Sequence, residues 1–254
     1  MLSDRQRDRY QRQIVIPLIG EAGQEKLLAS RVLVVGLGGL GSPAAYYLAA
    51  AGVGRLGLMD SDTVSESNLQ RQILHGSSTL GVPKAQSAAG RLKDLNPDVE
   101  IEVLQTALTR DNVDGVVGRY DLVTACLDNL PSRYVLNDGC VRAGVPLVEA
   151  GVMRFGGLVT TIVPGKGPCY RCIFPEAQGG QAMDPATIGI VGATAGVVGA
   201  IQAMEALKLL LNIGEPLIGR MLLVDLLSGS FREVQVGRNP ECPACGGVRD
   251  QIVP

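Results

Sequence analysis

Glycines near the start of the chain have the spacing of a nucleotide-binding turn. Residues 36–41 read GLGGLG, which fits the G-x-G-x-x-G pattern, and Asp60 follows about twenty residues later. Glycine lets the backbone approach a phosphate closely, and a helix that begins here points its N–H groups at the anion. Asp60 can accept hydrogen bonds from ribose hydroxyls, so the motif alone favours NAD without identifying the nucleotide. The turn positions predicted to contact the ligand are Gly36, Gly38, Gly39, Leu40 and Gly41.

The polar loop after Asp60 carries more charge than a dinucleotide site needs. It contains Asp62, Asn68 and Arg71, and Lys84 follows soon after. The glycine turn already meets the two phosphates of NAD, whereas a triphosphate needs further cations. An arginine can form two hydrogen bonds to phosphate oxygens, a lysine supplies a point charge, and a carboxylate can hold Mg²⁺. Each cation alone is typical of a solvated surface, but together they predict a triphosphate site.

A further acid and amide, Asp128 and Asn129, follow an apolar strand predicted at 121–126. Open α/β sheets bind ligands at the carboxyl ends of their strands, so both residues are candidates for the same site. Asn129 also suits the N-cap of a helix predicted at 131–143. The two interpretations are compatible.

Two C-x-x-C pairs stand far apart in the sequence. Cys169 with Cys172, and Cys242 with Cys245, match the thiolate spacing of tetrahedral zinc sites. A redox dithiol is less favoured, because neither pair follows a strand at the start of a helix. The zinc ion would pin the C-terminal part of the chain to its middle.

The other cysteines and the single histidine have simpler interpretations. Cys126 and Cys140 are predicted to be small core residues. His75 is predicted to be a surface or packing residue, which argues against a histidine-based catalytic triad.

Strand and helix patterns alternate along the first part of the chain. Five apolar strands, each followed by a helical pattern or a loop, indicate a Rossmann-like α/β fold with a doubly wound, mainly parallel sheet. From residue 157 the pattern changes to strands at 158–163 and within 220–236, which predict an antiparallel continuation. The predicted parallel strands are 32–35, 56–59, 99–104, 121–126 and 146–151; the predicted helices include 4–13, 21–29, 40–51, 85–95 and 112–118.

Composition excludes some classes of partner. The 254 residues carry a net charge of −2, which gives no general attraction to nucleic acid or to an anionic membrane. The first twelve residues are charged and unlike a signal peptide. The longest apolar region, 188–211, contains Gln202, Glu205 and Lys208, so it is interpreted as a buried core helix. A cytoplasmic protein is expected, with cysteines that serve metal binding or catalysis rather than disulfides.

These motifs in combination resemble one family. RYQRQ, GLGGLGSP, the Asp60 and Asp62 pair, SNLQRQ, Pro83-Lys84, LDN, CYRC and CPAC are similar to motifs of the MoeB/ThiF adenylyltransferases, which are related to ubiquitin-activating enzymes. The resemblance runs through nearly the whole chain. It implies ATP-dependent adenylation of the C-terminal glycine of a small ubiquitin-like sulfur-carrier protein that ends in Gly-Gly. Pyrophosphate would be released, ahead of thiocarboxylate formation for molybdopterin, thiamin or related pathways.

The resemblance also implies roles for particular residues. Asp128 would be the carboxylate linked to Mg²⁺, and Arg12 would reach the triphosphate from the other subunit of a homodimer. Residues 1–254 would form one adenylation domain, with N-terminal helices at 1–30, a nucleotide-binding core at 31–156, and a carrier-binding and zinc-knuckle part at 157–254. The implied ATP contacts are Gly39, Asp60, Ser67, Asn68, Arg71, Lys84, Asp128 and Asn129.

Two departures from the family pattern stand out. Relatives often carry a cysteine in the loop before the apolar helix, whereas this chain has Pro185 near that position and no cysteine within 173–241. A covalent thioester or acyl-disulfide step on this loop is therefore not expected. Relatives also often have an acid three residues before Asp128, where this chain has Ala125, which suggests a different arrangement of the metal site.

Other functions remain open from the sequence. The same site could adenylate another carboxylate, a small peptide or a modified tRNA base. An NAD-dependent oxidoreductase would explain the glycine turn and Asp60, but it leaves Arg71, Lys84 and the cysteine pairs without a task. A partner-binding scaffold that has lost its activity is the third alternative.

Overall fold

A single mixed sheet of eight strands forms the centre of the molecule. A computed structural model describes residues 1–175 and 189–247. The strand order is β3-β2-β1-β4-β5-β6-β7-β8, with β1 to β5 parallel and β6 to β8 antiparallel. The predicted fold class is therefore confirmed. The strands are β1 (Arg31–Val35), β2 (Arg55–Met59), β3 (Glu100–Leu104), β4 (Leu122–Ala125), β5 (Leu147–Met153), β6 (Gly156–Ile162), β7 (Arg220–Asp225) and β8 (Ser230–Gln235).

Helices cover both faces of the sheet. Helices α2, α3, α4 and α8 pack into one apolar core, and α5, α6 and α7 pack into the other. Because β1 and β4 are buried on both faces, their sequences are almost continuously apolar. The helices of the described residues are α1 (Asp4–Ile14), α2 (Gly20–Ala29), α3 (Gly41–Ala51), α4 (Lys84–Leu95), α5 (Val113–Val117), α6 (Leu130–Ala143), α7 (Tyr170–Ile173) and α8 (Gly192–Leu211).

Most predicted elements lie within two residues of the observed ones, although α8 begins at Gly192 rather than at 188. The hairpin of β5 and β6 is longer than predicted. Both strands extend beyond their predicted ends to Met153 and Gly156, because antiparallel pairing continues to the hairpin tip. Arg154 closes the tip with φ +54°, and its backbone pairs with Gly189 and Val191. The predicted loop at 175–186, which includes Pro185, lies almost entirely outside the described residues.

The longest helix, α8, is a core helix as expected. By length and composition it could cross a membrane, but half of its most apolar window is buried inside the protein. The Gln202 amide donates hydrogen bonds to the carbonyls of Ala125 and Val148, both at 2.9 Å, so α8 is attached to β4 and β5. A Cβ atom on Gly199 would lie 2.6 Å from the carbonyl oxygen of Leu40, which shows how closely α8 approaches the start of α3.

Two glycines of the turn after β1 are required by packing. Gly36 has φ +91°, and a Cβ atom there would lie 2.4 Å from the carbonyl oxygen of Cys126. A Cβ atom on Gly41 would lie 2.0 Å from the carbonyl oxygen of Gly36. Gly38 is different, because the atom nearest to a Cβ placed there would be the flexible Gln72 amide nitrogen, at 3.6 Å. The turn therefore needs Gly36 and Gly41 to form, whereas the fold itself has room for a side chain at Gly38.

We expect Gly41→Ala to destabilise the protein by about 3 kcal/mol or more, because the backbone of the turn must move. For a chain of this size, that change lowers Tm by roughly 6 °C or more. Gly38→Ala is the matched control and should leave Tm within about 2 °C of the wild type. Thermal melting followed by circular dichroism measures both. Equal melting temperatures for the two variants would contradict the packing role of Gly41.

Candidate active site

The candidate site lies at the carboxyl edge of the parallel strands. The glycine turn follows β1, Asp60 follows β2, and Asp128 follows β4. The strand order reverses between β1 and β4, which run side by side although β2 and β3 come between them in sequence. Ligands of open α/β sheets bind in the crevice at such a switch point. The structure thus brings together the residues that the sequence predicted at three separate strand ends.

Asp60 joins the glycine turn to the polar loop. One oxygen of its carboxylate accepts a hydrogen bond from the Leu37 N–H at 2.7 Å, and the other accepts from the Asp62 N–H at 2.8 Å. The sequence predicted a ribose contact for Asp60, and it did not predict this backbone role. Because a carboxylate oxygen has two lone pairs, both functions are compatible.

Lys84 and Asp62 form an ion pair at the start of α4. The Lys84 Nζ lies 2.8 Å from Asp62 Oδ2, and the Lys84 N–H donates to the Asp62 carbonyl, also at 2.8 Å. Lys84 is only 5% exposed, whereas Asp62 is exposed. A buried ammonium needs a charged or polar partner, so this pair holds the lysine in place. The fold thereby keeps a positioned cation beside the glycine turn.

Arg71 is the second cation next to the turn. Its side chain runs past Gly39, where a Cβ atom would lie 3.6 Å from Arg71 Cγ. The guanidinium donates to the Ser67 carbonyl at 3.0 Å. Among the described residues, no carboxylate pairs with Arg71, so its charge is available to an anion. The start of α8 packs on the same segment, because a Cβ atom on Gly192 would lie 3.2 Å from Arg71 Cα.

Ser67 and Asn68 lie in a short 3₁₀ turn, Glu66–Asn68, before Arg71. The Asn68 carbonyl accepts hydrogen bonds from the N–H groups of Arg71 and Gln72, at 3.1 and 2.9 Å, which closes the turn. Ser67 is exposed and Asn68 is half-buried. The backbone of the turn therefore orients Arg71, and the Asn68 side chain has no hydrogen-bond partner in the described part of the chain.

Asp128 is exposed at the end of β4, and Asn129 caps α6. The Asn129 side-chain oxygen accepts from the Ser132 N–H at 2.9 Å, so the N-cap interpretation is confirmed. Its amide group donates to Asp128 Oδ1 at 3.2 Å. Asn129 thus connects the helix start to the acid, and the Asp128 carboxylate can accept a cation from the crevice.

Arg12 is not part of this cluster within one chain. Gln13, its neighbour in α1, donates to the carbonyl of Ala51, the last residue of α3, at 3.1 Å. The glycine turn precedes Gly41 at the opposite end of α3, and eleven residues of helix span about 16 Å. Arg12 is exposed and has no hydrogen-bond or ion-pair partner among the described residues. An extended arginine side chain does not cover that distance.

His75 packs beneath the glycine turn. Its Nε2 lies 3.0 Å from the Leu37 carbonyl oxygen, and its Nδ1 lies 3.0 Å from the Ser87 hydroxyl. Burial lowers the pKa of His75, so the imidazole is neutral at pH 7. Of the two predicted alternatives, a surface or a packing residue, the packing residue is confirmed, and the histidine supports the glycine turn. Its sequence position between the polar loop and α4 was the only available signal.

The four paired cysteines lie together on the face of the sheet that α5, α6 and α7 cover. Their sulfur atoms all lie within 4.8 Å of one another, and three of the pairs are 3.9, 3.5 and 3.4 Å apart. Tetrahedral Zn–S bonds of about 2.3 Å require sulfurs about 3.8 Å apart, so the cluster fits one metal ion. The Asn239 N–H also donates to Cys172 Sγ at 3.4 Å. The cluster comprises Cys169, Cys172, Cys242 and Cys245.

The remaining cysteines are structural. Cys126 and Cys140 are buried, and burial raises the pKa of each thiol to about 12, so neither is a reactive thiolate at neutral pH. Their predicted role as small core residues is confirmed. None of the six cysteines forms a disulfide.

The sequence of the chain matches one known family. The ThiF family model matches residues 10–244, which is most of the chain. The chain belongs to the ThiF family. It is 50% identical over 242 residues to the SAMP-activating enzyme E1 of Haloferax volcanii, and the match covers 95% of this chain and 89% of that protein.

Two other relatives carry names that describe their activity. The sulfur carrier protein adenylyltransferase of Thermus thermophilus is 46% identical over 245 residues, which is 94% of this chain and 90% of that protein. The adenylyltransferase and sulfurtransferase MOCS3 of Sus scrofa is 49% identical over 240 residues, but the chain spans only 53% of its length.

Solved structures support the fold. The E. coli MccB structure with MccA-N7isoASN superposes with a TM-score of 0.83, covering 97% of this chain and 76% of that one, at 23% identity. The MccB structure with ATP gives a TM-score of 0.81 at 24% identity, over 94% of this chain and 75% of that one. At this level of identity the likeness concerns the architecture alone.

Proposed function

We propose that this member of the ThiF family adenylates the C-terminal glycine carboxylate of a small ubiquitin-like sulfur-carrier protein, using ATP and releasing pyrophosphate. The observation that carries the proposal is the pair of cations, Arg71 and Lys84, held beside the glycine turn by Ser67 and Asp62. A triphosphate uses both cations, whereas NAD leaves them without a role. The activities for which the Haloferax and Thermus relatives are named support the same reaction.

The chemistry requires two anions to meet. The carrier carboxylate attacks the α-phosphorus of ATP, and the bond from that phosphorus to the β-phosphate oxygen breaks as pyrophosphate leaves. The nucleophile is already ionised at neutral pH, so the reaction needs no general base. Catalysis therefore comes from positioning and from neutralisation of charge by groups that the fold holds in place.

The described residues divide this work between them. The glycine turn and the start of α3 offer N–H groups to the phosphates. Arg71 can bind two phosphate oxygens, and Lys84 adds a point charge once the phosphates compete with Asp62. Asp60 and Asn68 are placed to bind the ribose and its phosphate. Asp128, beside Asn129, would hold Mg²⁺, which would neutralise charge that develops on the leaving pyrophosphate.

A second copy of the chain would complete the site with Arg12. The other α1 arginines are engaged locally: Arg5 with Asp98, Arg7 with Glu21, and Arg9 with the Leu95 carbonyl. Arg12 alone among them has no partner in the described part of the chain, and its own glycine turn lies too far away. Apolar side chains are exposed nearby on α1–α2, α3 and α8, as a homodimer interface requires. They are Val15, Ile16, Leu18, Tyr47, Val197 and Met204.

The proposal includes the bounds of the adenylation domain and of the part that binds the carrier. Residues 1–254 are taken as one adenylation domain that works in the cytoplasm, with 157–254 binding a carrier that ends in Gly-Gly. Because 173–241 contains no cysteine, we expect no covalent intermediate on that segment, and the reaction of this domain would stop at the acyl-adenylate. A sulfur donor would then act on the acyl-adenylate. Adenylation of a different carboxylate or of a tRNA base would use the same residues.

We propose that the cysteine cluster holds Zn²⁺ and serves the fold. The cluster lies in the apolar core on the α6 face, where Tyr170 stacks edge-on against Tyr134 with ring centroids 5.4 Å apart. A metal ion there links the segment before α7 to the C-terminal knuckle. Among the described residues, its four cysteines form no hydrogen bond to the glycine turn, Arg71, Lys84 or Asp128, so we assign the metal to stability.

We expect Cys172→Ser to lose the zinc and to melt well below the wild type. Its ATP-pyrophosphate exchange should fall less than its stability does, because the metal does not contact the reacting atoms. Elemental analysis of purified protein, together with thermal melting, measures both effects. Cys140→Ala is the matched control, since it removes a buried thiol outside the cluster and should keep one zinc per chain. Full zinc occupancy in Cys172→Ser would contradict the assignment.

We expect Arg71→Ala and Lys84→Ala each to lower carrier-dependent ATP-pyrophosphate exchange by roughly 100-fold or more, because each removes a charge that stabilises the transition state. Both variants should stay folded, as judged by circular dichroism. Arg142→Ala provides a control, because this exposed arginine pairs with Asp114 and with no other acid in the described part of the chain. Near-wild-type exchange by both site variants would remove the triphosphate assignment.

We expect two inactive variants to restore activity when they are combined. Arg12→Ala and Asp128→Ala should each be inactive, yet a mixed dimer contains one site with Asp128 from one subunit and Arg12 from the other. Random exchange of subunits should recover roughly a quarter of wild-type activity. Exchange is checked by native mass spectrometry of differently tagged chains. Mixed dimers without recovered activity would show that Arg12 does not act across the interface.

A further inference from the structure

Two opposite charges are buried beneath the Asp128 loop, and the function described above does not use them. Arg133 lies in the first turn of α6 and Glu149 lies in β5; they are 9% and 0% exposed. The two side chains form an ion pair. Within the described residues, the Glu149 carboxylate has no hydrogen-bond partner besides this contact. The pair therefore depends on itself for neutralisation.

Arg133 also connects the loop to the sheet. One guanidinium nitrogen donates to the carbonyl of Ala150 in β5 at 2.8 Å, and the other donates to the carbonyl of Leu127. Leu127 directly precedes Asp128, so Arg133 determines the backbone path that leads into the acid. Burial lowers the pKa of Arg133, and the negative charge of Asp128 is among the groups that oppose this shift.

The pairing of β4 with β5 places Glu149 close to the end of β4. Ala125 and Glu149 are direct partners in the register, and neighbouring residues of paired strands project on the same face. Relatives often have an acid at the position of Ala125, and in this chain Glu149 of the adjacent strand places an acid beside that position. An acidic side chain, that of Glu149, therefore lies at this edge of the sheet, but it is buried and faces α6.

Such a pair is costly to maintain. Taking two charges out of water costs several kcal/mol for each ion, and apolar residues of similar size often stabilise a fold equally well or better. Stability is thus a weak explanation for Arg133 and Glu149. One contact of Arg133 instead reaches the loop 127–129, which carries the acid, at the Leu127 carbonyl.

We propose that the buried Arg133–Glu149 pair positions Asp128 for binding of the nucleotide with its Mg²⁺. Arg133 is a positioning residue, which acts through the Leu127 carbonyl, and Glu149 holds the guanidinium in the required orientation. The inference rests on the proposed nucleotide site and on the assignment of Mg²⁺ to Asp128. It adds two residues that neither the glycine turn nor the polar loop would reveal.

The test measures nucleotide binding and local order rather than turnover. ATP binding to Arg133→Lys and Glu149→Gln is followed by calorimetry over a series of Mg²⁺ concentrations. We expect the Mg²⁺ concentration for half-maximal tightening of ATP binding to rise about tenfold or more, which corresponds to about 1.4 kcal/mol. Hydrogen exchange at the amides of 127–132 should accelerate. ATP binding without Mg²⁺ should change little.

Three controls separate positioning from stability. Arg142→Lys alters another ion-paired arginine of α6 and should behave like the wild type. Leu136→Ala opens a cavity on the same helix, so it should lower Tm without moving the Mg²⁺ dependence. The double variant Arg133→Met with Glu149→Leu replaces the pair by apolar side chains and should recover stability, but not the Mg²⁺ dependence.

The outcomes are distinguishable. Wild-type Mg²⁺ dependence and exchange rates in Arg133→Lys and Glu149→Gln, or in the apolar double variant, would overturn the positioning role and leave the nucleotide site intact. A wild-type protein that binds ATP without any effect of Mg²⁺ would also overturn it. Failure of the wild type to bind ATP at all would remove the proposed function, together with this inference.

Discussion

The Asp60 carboxylate, with its two backbone hydrogen bonds, is the interaction on which the site depends. It accepts from Leu37 in the glycine turn and from Asp62 in the loop after β2, so one side chain fixes two segments relative to each other. The Asp62–Lys84 pair and the turn that holds Arg71 lie in the chain segment that begins at this anchor. Without it, the phosphate-binding backbone and the phosphate-binding cations would belong to separate loops. Such fixed placement is what electrostatic catalysis requires, since groups that must reorganise lose their advantage.

Adenylation presents a problem of charge more than of proton transfer. A carboxylate has to approach a triphosphate, and the fold offers N–H groups at a helix start and two positioned cations, Arg71 and Lys84. Lys84 is buried against an exposed acid, and Arg71 is held by a carbonyl, so both can be released to phosphate oxygens. The two acids differ in role: Asp60 organises the backbone, and we propose that the exposed Asp128 holds a metal ion. The buried Arg133–Glu149 pair then fixes the segment from which Asp128 projects.

Local patterns predicted most of the fold and of the candidate site. Apolar runs identified the parallel strands, the glycine spacing identified the turn, and the C-x-x-C pairs identified the cysteine cluster that the described structure assembles. The roles that sequence reasoning missed depend on contacts between distant segments. His75 meets the Leu37 carbonyl, and Arg133 meets a glutamate on another strand, and neither contact has a periodic signature. The separation of Arg12 from its own glycine turn likewise appears only when the length of α3 is measured in the folded chain.

In the proposed reaction, a carrier carboxylate attacks the α-phosphorus of ATP in this crevice. Transfer of an oxygen isotope from the carrier to AMP reports this attack directly. A candidate carrier ending in Gly-Gly is labelled with ¹⁸O in its terminal carboxylate and incubated with the enzyme, Mg²⁺ and ATP, and the acyl-adenylate is then cleaved with sulfide. Attack by the carrier carboxylate should give one ¹⁸O atom in AMP for each turnover, because the attacking oxygen stays on phosphorus when the acyl bond breaks. AMP that forms without the label would contradict it, since the attack on phosphorus would then have come from water or another group.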